Sequence, residues 1–246
     1  NAVISHKAQP VSGRDDLTTL AEFLSTFNAR TLAAPTLENA KACLLYGLAV
    51  GIGTRRARPA ILALNAAERQ RESGDTTRLI DGARTSQGSA AFANAVLLSG
   101  RVQGDSHPCG HIGGVVIPSA VAAAESARAS GETLLSGLVA GYESALRIGR
   151  DHSADLSLRG FRTTPAYGVF GATVAHGRIR GFDGPALRNA IGLAANCAGG
   201  LREYVDLGTE ESPFQAGFAA RNGVYIDNGC MPPRTIPNNP RCRIAF

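Results

Sequence analysis

The sequence predicts an all-α fold, and three observations carry that prediction. Apolar residues recur at helical spacing along most of the 246 residues. Only one short segment reads as extended, and the linkers between the periodic runs are short, with glycine or proline at their edges. A chain of this kind buries its apolar faces helix against helix, here in one large domain.

The elements follow in order. Leu17, Leu20, Phe23, Leu24 and Phe27 share one face of a first helix, with Asp15 or Asp16 as its cap. Pro35-Thr36 opens a second helix through Tyr46, which continues as Gly47-Leu48-Ala49-Val50-Gly51-Ile52-Gly53, a small apolar run suited to close packing. A third helix covers 59–71 and is broken by Ser73-Gly74-Asp75; residues 76–80 are the extended segment, with Asp81-Gly82 as its turn. Alanine-rich helices follow over 86–100, 117–129, 131–150 and 164–180, and those over 186–199 and 215–229 complete a series of eight or nine. The helical domain is thus 1–229. In 230–246 the runs Met231-Pro232-Pro233 and Pro237-Asn238-Asn239-Pro240 block a helix and predict an irregular tail.

Composition narrows the function. With 44% hydrophobic and 18% charged residues the chain has ample material for a core. No apolar run approaches the roughly 20 residues that span a bilayer, and the polar start lacks a signal-peptide pattern, which points to the cytoplasm and away from membranes. Five cysteines, an odd number without a C-x-x-C pair, argue against a disulfide framework or a zinc ribbon. The net charge of +5 is spread as arginines among acidic residues with no aromatic platform, which argues against nucleic acid. Lys7 and Lys41 are the only lysines, both near the N-terminus, so a catalytic lysine is not expected.

Proton-handling chemistry concentrates in Gly104-Asp105-Ser106-His107-Pro108-Cys109-Gly110-His111-Ile112-Gly113-Gly114. Asp105, His107 and His111 are suitable donors for a divalent ion. Pro108, Gly110 and the Gly113-Gly114 pair spoil the helix that would make the histidines chelate, so no metal is expected. As an acid/base loop the segment makes better sense: a histidine titrates near neutrality, a carboxylate fixes its tautomer, and glycines admit a substrate to the backbone. The competing reading is a polar loop with idle histidines.

Two further segments precede helices. Gly160-Phe161-Arg162-Thr163-Thr164-Pro165 offers two hydroxyls and a guanidinium where free N–H groups and the helix dipole favour a carboxylate, or else simple N-capping beside a solvated arginine. Gly208-Thr209-Glu210-Glu211-Ser212-Pro213-Phe214-Gln215 reads first as a cap whose glutamates complement the dipole, and alternatively as the source of a general base.

Taken together and in this order, these elements resemble the MmgE/PrpD family over 17–229. The most specific parts are His111-Ile112-Gly113-Gly114-Val115-Val116-Ile117-Pro118 with Ala122-Ala123-Ala124-Glu125, then Ala140-Gly141-Tyr142-Glu143, Gly160-Phe161-Arg162-Thr163-Thr164, Gly168-Val169-Phe170-Gly171-Ala172, and Phe214-Gln215-Ala216-Gly217-Phe218-Ala219-Ala220-Arg221-Asn222-Gly223. The resemblance implies a helical domain, a dimer, and a cofactor-independent lyase or isomerase that removes a proton beside the carboxylates of a small polycarboxylic acid. It implies Asp105, His107 and His111 as the acid/base group, and Ser106, Arg162, Thr163, Ser212 and Gln215 as substrate contacts.

The chain departs from the family pattern in four ways. Val102 stands where an aspartate is usual, Arg162 where a histidine is, and Ser212 where a lysine is. Arg162 can bind a carboxylate but stays protonated, which makes it a poor general acid. The family's α/β lid domain has no counterpart in 1–246, so the sequence is expected to be a fragment, a lidless variant with an open pocket, or a chain whose pocket a separate lid chain completes. An open pocket admits water and weakens carbon-acid deprotonation. Two alternatives therefore stand beside the lyase: an isomerase or cyclase acting on a larger, less charged metabolite, and a helical subunit without catalysis.

Overall fold

The computed structural model describes residues 16–230. The expected Asp15 cap and the tail over 231–246 lie outside the described residues.

Eleven α-helices and one small hairpin make up the described chain: α1 Asp16–Ser25, α2 Ala34–Thr54, α3 Arg58–Gln70, β1 Thr76–Thr77, β2 Arg84–Thr85, α4 Gln87–Ser99, α5 Gly113–Ser126, α6 Gly131–Gly149, α7 Ser153–Leu158, α8 Thr163–Ile179, α9 Gly184–Ala194, α10 Tyr204–Leu207 and α11 Ser212–Cys230. The fold is all-α. Local chemistry explains many of the starts. Ser86 accepts from Ser89 N at 3.2 Å, Ser130 from Thr133 N at 3.2 Å and Asp183 from Ala186 N at 2.9 Å, which caps α4, α6 and α9. Proline occupies the first turn of α2, α3 and α9, where a missing N–H costs nothing.

The structure differs from the sequence expectation at four places. The extended segment is half of an antiparallel hairpin, pairing Thr76 with Thr85 and Thr77 with Arg84; strands of two residues carry no alternation to read. Helices α7 and α10 are likewise too short to show a period. The last helical stretch before α10 ends at Ala194, and a tighter 3-10 turn covers Ala195–Cys197. Finally, α5 begins at Gly113 rather than 117. Its first N–H is taken by the carboxylate of Asp105, at 3.0 and 3.2 Å, a cap supplied from the preceding loop that no helix-periodicity argument sees.

Helix α8 is the axis of the core. It is buried on nearly every side, packing against α5, α6, α9 and α11. Small residues make this possible: a Cβ on Gly171 would meet Val116 Cγ2 at 2.6 Å and Gly141 O at 2.8 Å, so α6 and α8 cross backbone against backbone. Val115, Val169, Ala172, Val174, Leu187 and Ala220 fill one core cluster, and Leu98, Ile112, Val116, Ile117 and Leu138 a second. The N-termini of α5 and α8 are thereby fixed next to each other.

Candidate functional site

The loop between α4 and α5 is built by tight turns. Val102 adopts φ 52°, a left-handed conformation that a β-branched residue rarely takes. Gly110 adopts φ 109°, and a Cβ there would also meet Thr164 Oγ1 at 2.6 Å, so only glycine satisfies both backbone and space. His107 and Gly110 exchange main-chain bonds of 3.2 and 2.7 Å, closing a turn that buries Cys109. His111 N donates to Thr164 Oγ1 at 3.0 Å, which seats the loop on the first turn of α8.

Within that loop the two histidines are set in opposite tautomers. His111 Nδ1 lies 2.7 Å from the main-chain oxygen of Asp105; a carbonyl only accepts, so Nδ1 carries a proton and, in the neutral form of the ring, Nε2 has the lone pair. His107 Nδ1 accepts from Cys109 N at 3.1 Å, so in its neutral form the proton is on Nε2. His107 and Ser106 are exposed, whereas Asp105 and His111 are half-buried.

Asp105 is the hub. Its carboxylate caps α5 at Gly113 N and accepts from the Tyr142 hydroxyl at 2.7 Å, while its carbonyl holds His111. The carboxylate thus serves the helix and the tyrosine, and the main chain performs the orienting role expected of the side chain. Burial, and next the Asp105 charge, push the Tyr142 phenol far above its ordinary value, so it stays a donor. The Cys43 thiol, in contact with Tyr142, is raised chiefly by burial and then by the same carboxylate, against a smaller lowering by Tyr142. Cys43, Ala42, Leu45, Tyr46, Ala49 and Asp105 line an open, almost wholly apolar groove of ≈ 540 Å³.

A second cluster gathers at the start of α8 and α11. Arg162 is only 6% exposed, and its Nη1 donates to the main-chain oxygen of Ser212, itself buried. Its guanidinium lies 5.5 Å from the Tyr204 ring centroid and makes no salt bridge among the described residues. Burial pulls the guanidinium below its ordinary value, with Tyr204 opposing. Gln215 Nε2 donates to Leu201 O at 2.9 Å, while its Oε1 is buried without a partner. Thr163 opens α8 next to Gly110, and Glu210 turns away to pair with Arg58 at 2.8 Å. Thr209 donates to the Glu211 side chain.

The structure thus brings Asp105 and His111 together, and separately Arg162, Ser212 and Gln215, with Thr163-Thr164 between the groups. Tyr142 and Cys43 are the members that sequence reasoning left out, and Thr164, read there as one of two hydroxyls at the start of α8, is found bonded to His111 N. Tyr142 lay in a quoted motif, and its partner glycine, Gly113, in another, yet nothing in either links them.

The histidine loop and the buried arginine thus stand at adjoining helix starts of an all-helical domain. The model of the MmgE/PrpD N-terminal domain matches residues 18–227, and the chain belongs to the MmgE/PrpD family. It is 28% identical over 216 residues to the cis-aconitate decarboxylase-like protein oryM of Aspergillus oryzae, covering 84% of this chain and 45% of that protein. It is 31% identical over 144 residues to the cis-aconitate decarboxylase of Aspergillus terreus, covering 55% of this chain and 29% of that enzyme. The chain spans less than half the length of these curated relatives.

Proposed function

We propose that this domain carries the acid/base half of a cofactor-independent lyase or isomerase that acts on a small carboxylic acid. The observation that carries the reading is the His111 tautomer: with Nδ1–H given to Asp105 O, Nε2 is the free base of a half-buried ring. It takes a proton from the carbon next to a substrate carboxylate. The electron pair left behind spreads into that carboxylate, and reprotonation or departure of a neighbouring group discharges it. The second carboxylate of such an acid fits Arg162, a buried cation with no counterion among the described residues. Thr163, Ser212, Gln215 and Ser106 are proposed to frame the substrate around it, with His107 as a second, exposed proton carrier. Relatives named for cis-aconitate decarboxylation support an acid of that class.

The working unit is proposed to be a homodimer or a complex with further chain. Exposed Leu45, Ile52, Ile61 and Leu62 on α2 and α3 support a contact face there. No helix among the described residues is long and apolar enough to cross a membrane.

The test is titration of the purified chain with citrate, 2-methylcitrate, cis-aconitate and aspartate-derived acids, followed by calorimetry and NMR. Turnover that falls about 10²- to 10⁴-fold in His111→Ala supports the reading. Turnover untouched by that change removes His111 from the chemistry. One observation favours a second reading: the apolar groove beside Asp105 suits a larger, less charged metabolite. Tight citrate binding that depends on Arg162 counts against it.

A further inference from the structure

We infer that Tyr142 is a positioning residue: its hydroxyl, acting through Asp105, holds His111 in the tautomer that leaves Nε2 free. The inference deepens the proposed acid/base reading and rests on it for its bearing on turnover, but its structural content stands on its own geometry.

Three observations carry it. The first is the bond chain itself. Tyr142 Oη donates to Asp105 Oδ2 at 2.7 Å, Gly113 N donates to both carboxylate oxygens, and Asp105 O takes His111 Nδ1–H at 2.7 Å. A carboxylate can only accept and a carbonyl can only accept, so each proton in the chain has a fixed place. Asp105 sits in a loop, where the main chain is held only by what its groups bond. Without the tyrosine its carboxylate is tethered by one N–H at the tip of α5, and the peptide plane presenting the carbonyl to His111 is free to turn.

The second observation is Gly113. Residue 113 has an ordinary helical backbone, so nothing in φ requires glycine there. A Cβ at that position would meet the Asp105 carboxylate oxygens at 2.7 and 2.8 Å and would collide with the Tyr142 hydroxyl. Glycine at the first position of α5 exists to let the Tyr142–Asp105 pair close against the helix.

The third is the contrast inside the loop. His107, four residues away and without a tie to Asp105, holds the opposite tautomer through Cys109 N. The setting of His111 is therefore specific to its own partners. Cys43, the other group against Tyr142, is a protonated thiol that leaves the phenol's single proton committed to Asp105.

The experiment is Tyr142→Phe in a ¹⁵N-labelled chain, read by long-range ¹H–¹⁵N spectra of the imidazoles, with His111→Gln for assignment. Wild-type His111 is expected to show a protonated Nδ1 and an unprotonated Nε2, with His107 reversed. In Tyr142→Phe the His111 nitrogens are expected to move toward the average of the two tautomers while His107 stays put. Where the domain turns over an acid, kcat is expected to fall about 10- to 100-fold with KM near wild type, by analogy with the loss of a group that orients a metal-bound histidine. Gly113→Ala, which keeps the hydroxyl but displaces the pair, is expected to give the same spectral change from the other side and serves if Tyr142→Phe does not fold. Unchanged His111 shifts in a folded variant overturn the inference. Wild-type protein without turnover on any acid counts against the proposed function alone, because the spectra are read without substrate.

Discussion

Around Asp105 the polar groups are bonded to one another: the carboxylate to Gly113 N and the Tyr142 hydroxyl, the carbonyl to His111, and His111 N to Thr164. Around Arg162 the pairing is incomplete. The guanidinium is buried with a carbonyl and an aromatic ring in place of a carboxylate, and the Oε1 of Gln215 is buried with no partner. Both clusters sit on the same scaffold, at helix starts fixed by α8. The difference teaches where a ligand would contribute. Groups already paired are preorganised before anything binds, and on the proposed reading a substrate has only to arrive at Nε2 of His111. A buried cation with no counterion among the described residues is a cost that an arriving anion relieves, so the second cluster gains from being occupied.

The sharpest break of that comparison is Arg162→Gln. An ionic hydrogen bond to a carboxylate contributes about 1.5–3 kcal/mol, so KM for a tricarboxylic acid is expected to rise about 10- to 100-fold while kcat changes less. Glutamine can still donate to Ser212 O and removes a buried charge, so the melting temperature is expected to hold or to rise. Steady-state kinetics and thermal melting decide together. An unchanged KM with a melt lowered by several degrees makes Arg162 a strut for α11, and the two clusters then differ in nothing that concerns a ligand.

The same contrast separates what the sequence shows from what it hides. Long helices were legible because apolar spacing over 34–54, 131–149 and 163–179 is a property of the local chain. Asp105, His111 and Arg162 were legible as candidates because reactive side chains among glycines stand out. Their partners were not. Tyr142 meets Asp105 across 37 positions of sequence and Arg162 meets Ser212 across 50, distances over which no period or spacing reports. The backbone role of Asp105 toward His111 was hidden for another reason: main-chain carbonyls are present at every residue and carry no sequence mark. The early start of α5 was hidden because its cap is the Asp105 carboxylate, which reaches it from the preceding loop.

Val102→Asn sharpens the comparison from the acid/base side. Val102 enters the histidine loop at φ 52°, a conformation costing a residue with a Cβ about 1–2 kcal/mol. Asparagine tolerates it, so a gain of about 1 kcal/mol is expected, seen as a rise of about 2–4 °C in melting temperature for a chain of this size. If the paired network around Asp105 is what holds the loop, the His111 imidazole spectrum is expected to remain as in the wild type. A more stable variant whose His111 tautomer had shifted would mean that the strain at Val102, rather than the Asp105 bonds, sets the loop.

The smallest effect concerns Cys43, which reports on the charge at Asp105 from the groove side. Its thiol is raised first by burial and second by the Asp105 carboxylate, so at a given pH less of it is thiolate than in a free cysteine. Alkylation by iodoacetamide near pH 8, followed at Cys43 by peptide mass, is expected to run several-fold slower than for a small free thiol. Asp105→Asn takes away the negative charge, lowers the thiol toward its ordinary value and is expected to speed alkylation about two- to threefold, with burial still holding it below the free rate. The sign is what matters: a carboxylate paired with Tyr142 and Gly113 N–H as drawn remains an anion that repels a thiolate. Alkylation that did not speed up in Asp105→Asn would mean that the Asp105 charge does not act on the Cys43 thiol and that burial alone holds it back.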